Sequence, residues 1–385
     1  MSEETIKILK MLEGGRISSK EADSLLSALN KEKHGRNRHN WQEDTDDPYG
    51  TTGLINTGRI VAEAIAGVRE SLKDIHIDID EIHGSEKAEE EKEIIVPAAG
   101  ITALSINQPR SDFEITGAET DQITITADIQ VWSEDRKEAR EKLKSLDIST
   151  ETENGVLKIK VDGPPWTKKR RAKVDFTIVM PKNIAAEISS ASGEISVQNL
   201  LNGCRLNTAS GEIEIFGCRG ENNLSSASGD VEVNGCTETV LKINTASGDI
   251  GVNGCSGELS FQTISGDASI SLSGDIQGQT VSGDIDIKSA RSGQITIRST
   301  SGDIQFQGPV AEGSSTAITT VSGDVSAELS DDSSAAVEAV TVSGDIDCEL
   351  DLKELHQGNR NLSGKLGEGK GNLAVKTVSG DITIS

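Results

Sequence analysis

Thr280-Val281-Ser282-Gly283-Asp284-Ile285-Asp286-Ile287 returns nineteen residues later as Ser299-Thr300-Ser301-Gly302-Asp303-Ile304-Gln305-Phe306, and again as Thr377-Val378-Ser379-Gly380-Asp381-Ile382-Thr383-Ile384. Working outward from these copies, Ser-Gly-Asp or Ser-Gly-Glu recurs in phase at Ser192, Ser210, Ser228, Ser247, Ser265, Ser282, Ser301, Ser322, Ser343 and Ser379, with a Ser-Gly-Lys copy at Ser363 filling a double-length gap. Repeats of about 18–21 residues are too small to bury a core singly and must bury it against their neighbours, which predicts a solenoid of about eleven rungs.

Each repeat carries the signature of two strands. Three and five residues after the repeat serine stand Ile195 and Val197, Ile213 and Ile215, Val231 and Val233, Ile285 and Ile287, an alternation with the period of a strand. Four residues before it stand Leu206, Leu224, Ile243, Phe261, Ile297, Ile318 and Val375, marking a second inward-facing strand. At minus two a hydroxyl column runs through Thr208, Ser226, Thr245, Thr263, Thr280, Ser299, Thr320, Thr341 and Thr377. Glycine suits a corner that needs positive φ, and Ser or Asp beside it bonds to the turn backbone. The fold class expected is therefore mainly β: a single-stranded parallel β-solenoid over 187–385, spanning roughly 50 Å at one strand spacing per rung.

Upstream the pattern changes. Residues 1–30 read as a helical hairpin: Ile6, Leu9 and Leu12 at helical spacing, Gly14-Gly15 as the break, a capping box of Ser18 and Glu21, then Ala22, Leu25, Leu26 and Leu29. Residues 31–53 are polar, of mixed charge and proline-bearing, as in a flexible linker. Residues 54–93 hold an amphipathic helix, Thr57 to Lys73, and a charged segment from Glu86 to Glu93. Residues 94–186 carry less regular β patterns with a helical stretch near Ser133 to Leu146, a region expected to open the stack and cover its first rung.

Composition bounds the function. The 385 residues hold 2% aromatics and 39 glycines, which suits thin β layers, and the net charge of −25 opposes nucleic acid and the bare face of an anionic bilayer. No basic-then-apolar leader opens the sequence and no run of eighteen apolar residues occurs, so neither an export signal nor a membrane span is expected. Five cysteines, an odd number and all within the repeats, fit a reducing compartment. The expectation is a cytoplasmic protein.

Met11-Leu12-Glu13-Gly14-Gly15-Arg16-Ile17-Ser18 with Glu21-Ala22 and Leu25-Leu26, followed by repeated Thr-Ala/Val-Ser-Gly-Asp-Ile, resembles a bacterial family of unknown function whose members are labelled "putative adhesins", in particular a YvlB-like subset with this hairpin in front. The resemblance implies the solenoid fold, brings no catalytic residues with it, and points to bacterial envelope-stress loci and membrane-protein partners of the phage-shock type.

No nucleophile with a base, no P-loop and no dinucleotide fingerprint is present, and residues 187–385 hold 11 Lys plus Arg against 28 Asp plus Glu, scattered over several columns. No enzyme and no cofactor are expected. The acidic column that includes Asp230, Asp249, Asp267, Asp284 and Asp303 is either held by turn amides or bridged by Ca²⁺, the first being the stronger reading. Cys218, Cys236 and Cys255 share one slot in successive rungs, as small buried corner residues do. His76, Asp78, Asp80 and His83 lie on a possible strand face. The partner-binding candidates are the hairpin residues Ile6, Leu9, Leu12, Leu25, Leu26 and Leu29, and the basic cluster Lys168, Lys169, Arg170 and Arg171 that follows Trp166. They suit a protein partner at the inner membrane face or assembly of copies through the hairpin. The function expected is a non-enzymatic scaffold; a polymerising element like bactofilin-type solenoids and a surface adhesin or carbohydrate-binding protein are the alternatives. Ile382 and Ile384 carry the core columns to the last residue, so that rung is expected to be an open edge or to be covered from elsewhere, the 57–73 helix being the candidate cover.

Overall fold

The computed structural model describes residues 86–164, 172–291 and 293–385. The hairpin 1–30, the linker 31–53, the 57–73 helix, the His76 strand and the basic residues 168–171 lie outside the described residues.

The repeats form the expected parallel β-solenoid, each rung placing one strand on either face. On the first face Ala185–Ser190, Cys204–Thr208, Gly220–Ser226 and Thr239–Thr245 pair in parallel with identical register, Ile188 beside Leu206, Leu224 and Ile243. On the second, Ile195–Gln198, Ile213–Phe216 and Val231–Asn234 do the same, Ile195 beside Ile213 and Val231. Two long strands, Ile250–Ser265 and Ala268–Ser282, run through the corner and serve both faces. Inward positions alternate with outward ones, and Ile213, Ile215, Ile243, Phe261, Ile285 and Phe306 are at most 1% exposed in one continuous core. Burial of each such side chain contributes about 1.5–3 kcal/mol.

The stack begins earlier than the periodicity indicates. Ala103–Asn107 and Phe113–Ala118 form a rung below Ile195, with Ser111-Asp112 at its corner and no glycine. Val156–Asp162 and Ala172–Pro181 form another below that one, with Asp175 at the corner position. Spatial order here reverses chain order, because residues 156–181 lie outside residues 103–118. Antiparallel strands close this end: Asp147–Glu153 on the first face, and Gln122–Ser133 followed by Glu86–Pro97 on the second. The charged segment from Glu86 is therefore a strand of the β body rather than an appendage of the amphipathic helix. Its glutamates sit on the outermost strand among the described residues, where charge discourages further pairing. The one helix among the described residues, Arg136–Lys144, packs Ala139 and Leu143 on these two strands and is capped by Asp135, whose carboxylate accepts from the Lys137 and Glu138 amides at 2.8 Å.

The other end departs from the sequence in two ways. Ser363 is not a rung: Asn361–Lys365 runs antiparallel to Ala335–Ser343 and to Lys353–Gln357. The strand Ile382–Ile384 is not an edge either. It lies between Val325–Leu329 and Ile346–Cys348, while Gly371–Ser379 lies between Ser315–Thr319 and Ala335–Ser343. The Ser379 rung is thus inserted between the Ser322 and Ser343 rungs, which are consecutive in the chain, and the expected open edge is a paired strand.

Candidate functional site

The repeated corner carries most of the polar chemistry of the solenoid, and its glycine is fixed by distance. A Cβ on Gly211 would lie 1.8 Å from the Gly193 carbonyl oxygen, and one on Gly283 would lie 2.1 Å from that of Gly266. Positive φ is not the common requirement, since Gly193, Gly211, Gly229 and Gly248 are outside that region while Gly266, Gly283, Gly302 and Gly323 are in it. The glycine N–H is routed in two ways that do not follow φ, since Gly248 shares the early conformation but the later acceptor. In the early rungs it donates to the hydroxyl column within its own turn, Gly193 to Ser190 at 3.0 Å, Gly211 to Thr208 at 2.9 Å and Gly229 to Ser226 at 2.8 Å. From Gly248 onward it donates to the next rung's serine carbonyl, Gly248 to Ser265 and Gly266 to Ser282 at 3.2 Å. The buried hydroxyls of Thr245, Thr263, Thr280, Ser299 and Thr320 are then left without a partner.

The acidic column is a ladder of side-chain to main-chain bonds. Asp230 Oδ1 accepts the Asp249 amide, Asp249 that of Asp267, Asp267 that of Asp284, and Asp284 that of Asp303, all at 2.8–2.9 Å. An ionised acceptor strengthens such bonds and offsets the repulsion between stacked carboxylates. Among the described residues no group of three His, Cys, Asp or Glu side chains is placed to hold a metal ion.

The same bond recurs lower in the stack, beside a cleft. Asp175 Oδ1 accepts the Asp112 amide at 2.9 Å, and Asp112 Oδ1 that of Glu194 at 3.1 Å. Glu194 and Glu212 are a methylene longer than aspartate and line a cleft of about 310 Å³ together with Asp112, Glu114, Asp175 and Glu214. Lys173 pairs with two of these carboxylates, Asp112 and Asp175. Burial works against its charge, but the bonds and field of these two carboxylates prevail and raise its pKa. Beyond the cleft, burial together with Glu214 and Asp230 pushes the Glu232 carboxyl up. The spacing of Glu rungs against Asp rungs was a readable signal for this cleft, but the contribution of Asp112 and Asp175 was hidden by their missing Ser-Gly.

Cys218, Cys236 and Cys255 stack as expected and are buried, with the Cys218 amide donating to Cys236 Sγ at 3.3 Å. Cys204 is buried beside them, where desolvation raises its thiol pKa well above the ordinary value. Cys348 stands apart and half-buried. His356, the one histidine among the described residues, is exposed with Nδ1 2.9 Å from the Glu354 carbonyl. Among the described residues no helix is long and apolar enough to cross a membrane.

The Toastrack DUF4097 family profile matches residues 101–289 and 276–385. A SHOCT-like domain profile matches residues 3–34, over the sequence read as a helical hairpin. No curated protein matches the chain. Solved structures similar to it include a "putative adhesin" from Parabacteroides distasonis, 12% identical with a TM-score of 0.31 over 79% of this chain and 98% of that one. A "putative lipid binding protein" from the same species is 15% identical with a TM-score of 0.26, covering 77% of this chain and 96% of its own. A "putative cell adhesion protein" from Clostridium sporogenes is 12% identical with a TM-score of 0.22, covering 77% and 99%.

Proposed function

Because the chain belongs to the Toastrack DUF4097 family, whose name states no activity, we propose that it acts as a non-enzymatic scaffold: a rigid β-solenoid carried behind a small helical module that assembles copies or docks on a membrane-associated protein. The observation that carries this reading is the corner itself. Its repeated Asp groups are spent on neighbouring amides from Asp230 to Asp303, so the chemistry most repeated in the chain maintains a stack. The hairpin residues Ile6, Leu9, Leu12, Leu25, Leu26 and Leu29 fall inside the SHOCT-like match, and a segment of that size buries too little surface to stand alone. A cytoplasmic position at the inner membrane face, and a role in envelope stress, belong to this reading through the family resemblance alone. The polymer alternative rested on an open edge at Ile382, and that strand has neighbours on both sides.

Deleting residues 1–30 tests the scaffold. The expected outcome is an unchanged far-ultraviolet β spectrum, a lower mass by light scattering, and loss of the inner-membrane pool on cell fractionation. Loss of β-structure, or unchanged mass and localisation, would overturn it, and an external pool would favour an adhesin.

A further inference from the structure

The Ser379 rung occupies a place that chain order does not give it. Below it, the Gly323 N–H donates to the Ser379 carbonyl, the Val325 N–H to the Asp381 carbonyl, and the Asp381 amide to Asp324 Oδ1. Above it, the Gly380 N–H donates to the Ser343 carbonyl, the Ile382 N–H to the Asp345 carbonyl, and the Asp345 amide to Asp381 Oδ1. These are the bonds that join the Ser301 rung to the Ser322 rung, where Gly302 donates to Ser322, Ile304 to Asp324, and the Asp324 amide to Asp303 Oδ1. The slot is therefore built from the same rung-to-rung bonds as the rest of the stack, with nothing in those bonds particular to the Ser379 rung.

The inserted rung is joined to the strand Asn361–Lys365 by a short glycine turn, in which Gly367 and Gly369 have φ of +64° and +68°. Opening that turn would release residues 371–384 from Ser334 and from the strand Ala335–Ser343, while Asn361–Lys365 keeps its antiparallel partners Ala335–Ser343 and Lys353–Gln357. A short hinge in front of an element held by repeated, non-unique contacts is the arrangement from which identical elements exchange between copies.

We propose that residues 371–384 are an exchangeable rung, and that the slot between the Ser322 and Ser343 rungs is an assembly site for the same rung of a second copy. This goes beyond the scaffold reading and does not use the amino-terminal module. Ser326 and Thr383 are directly opposed and face outward, so two full-length variants, Ser326→Cys and Thr383→Cys, each in a Cys348→Ser background, report the exchange. Mixed at high concentration, incubated and treated with diamide, they are expected to give several-fold more covalent dimer, one copy of each, than either gives alone. The double variant Ser326→Cys/Thr383→Cys, oxidised before mixing, is expected to close its bridge within one chain and to lose the dimer. A mixture giving no more dimer than the separate variants while the double variant bridges internally would overturn the proposal. Failure of the double variant to bridge would contradict the register on which it rests and overturn it equally. Either failure leaves assembly through residues 1–30 to be judged by its own deletion.

Discussion

At the scale of single residues the corner glycines and hydroxyls make separable predictions. Gly283→Ala pushes a Cβ to 2.1 Å from the backbone oxygen of Gly266 in the preceding rung, whereas Gly254, at φ +62°, has nothing within 4 Å of the added atom. Chemical denaturation is expected to show a loss of several kcal/mol for Gly283→Ala and of only about 1 kcal/mol for Gly254→Ala. Equal losses would mean that backbone conformation, rather than close approach, selects glycine at the corner. The hydroxyl column divides in the same way. Thr208 accepts the Gly211 N–H, so Thr208→Val strands a buried donor and is expected to cost about 1–3 kcal/mol. Thr280 has no partner, so Thr280→Val is expected to be neutral or stabilising in the same urea titration.

At the scale of elements the unit is the rung, and it is stable only through the rungs on either side. Ile285 lies 1% exposed between Ala268 and Ile304. Ile285→Asp puts a carboxylate without a partner into that layer, at a cost of several kcal/mol. Hydrogen exchange is expected to accelerate together in 268–271, 285–288 and 304–308, and acceleration confined to 285–288 would count against the stack as a cooperative array. The rungs at 103–118 and 156–181 obey the same rule, although their corners retain only Ser111-Asp112 and Asp175. Sequence periodicity missed them because tertiary neighbours, not a complete motif, fix their register. Antiparallel strands and the Arg136–Lys144 helix follow from their position too: the end of a stack has main-chain groups still to be paired, and a further parallel rung would only pass that need along.

At the scale of the whole molecule the decisive feature is the order of the rungs. The Ile382 N–H donates to the Asp345 carbonyl and its strand has neighbours on both sides, so Ile382→Pro removes a bond from the middle of a ladder. The substitution is therefore expected to lower the unfolding midpoint and expose the Ser322 and Ser343 rungs to protease. Unchanged stability would argue against insertion. The sequence by itself determined the fold class, the inward columns, the acidic column and the shared cysteine slot, because each is a local period that the repeats restate. It did not lead to the cleft that Glu194 and Glu212 share with Asp112 and Asp175. Only the tertiary structure decided where the stack begins, that residues 156–181 lie outside residues 103–118, that Ser363 belongs to an antiparallel strand, and that the Ser379 rung is inserted. The physical reason is the repeat itself: rungs with the same corner and the same inward residues present interchangeable surfaces, so local sequence fixes what a rung is while connection geometry and end closure fix which rung it meets.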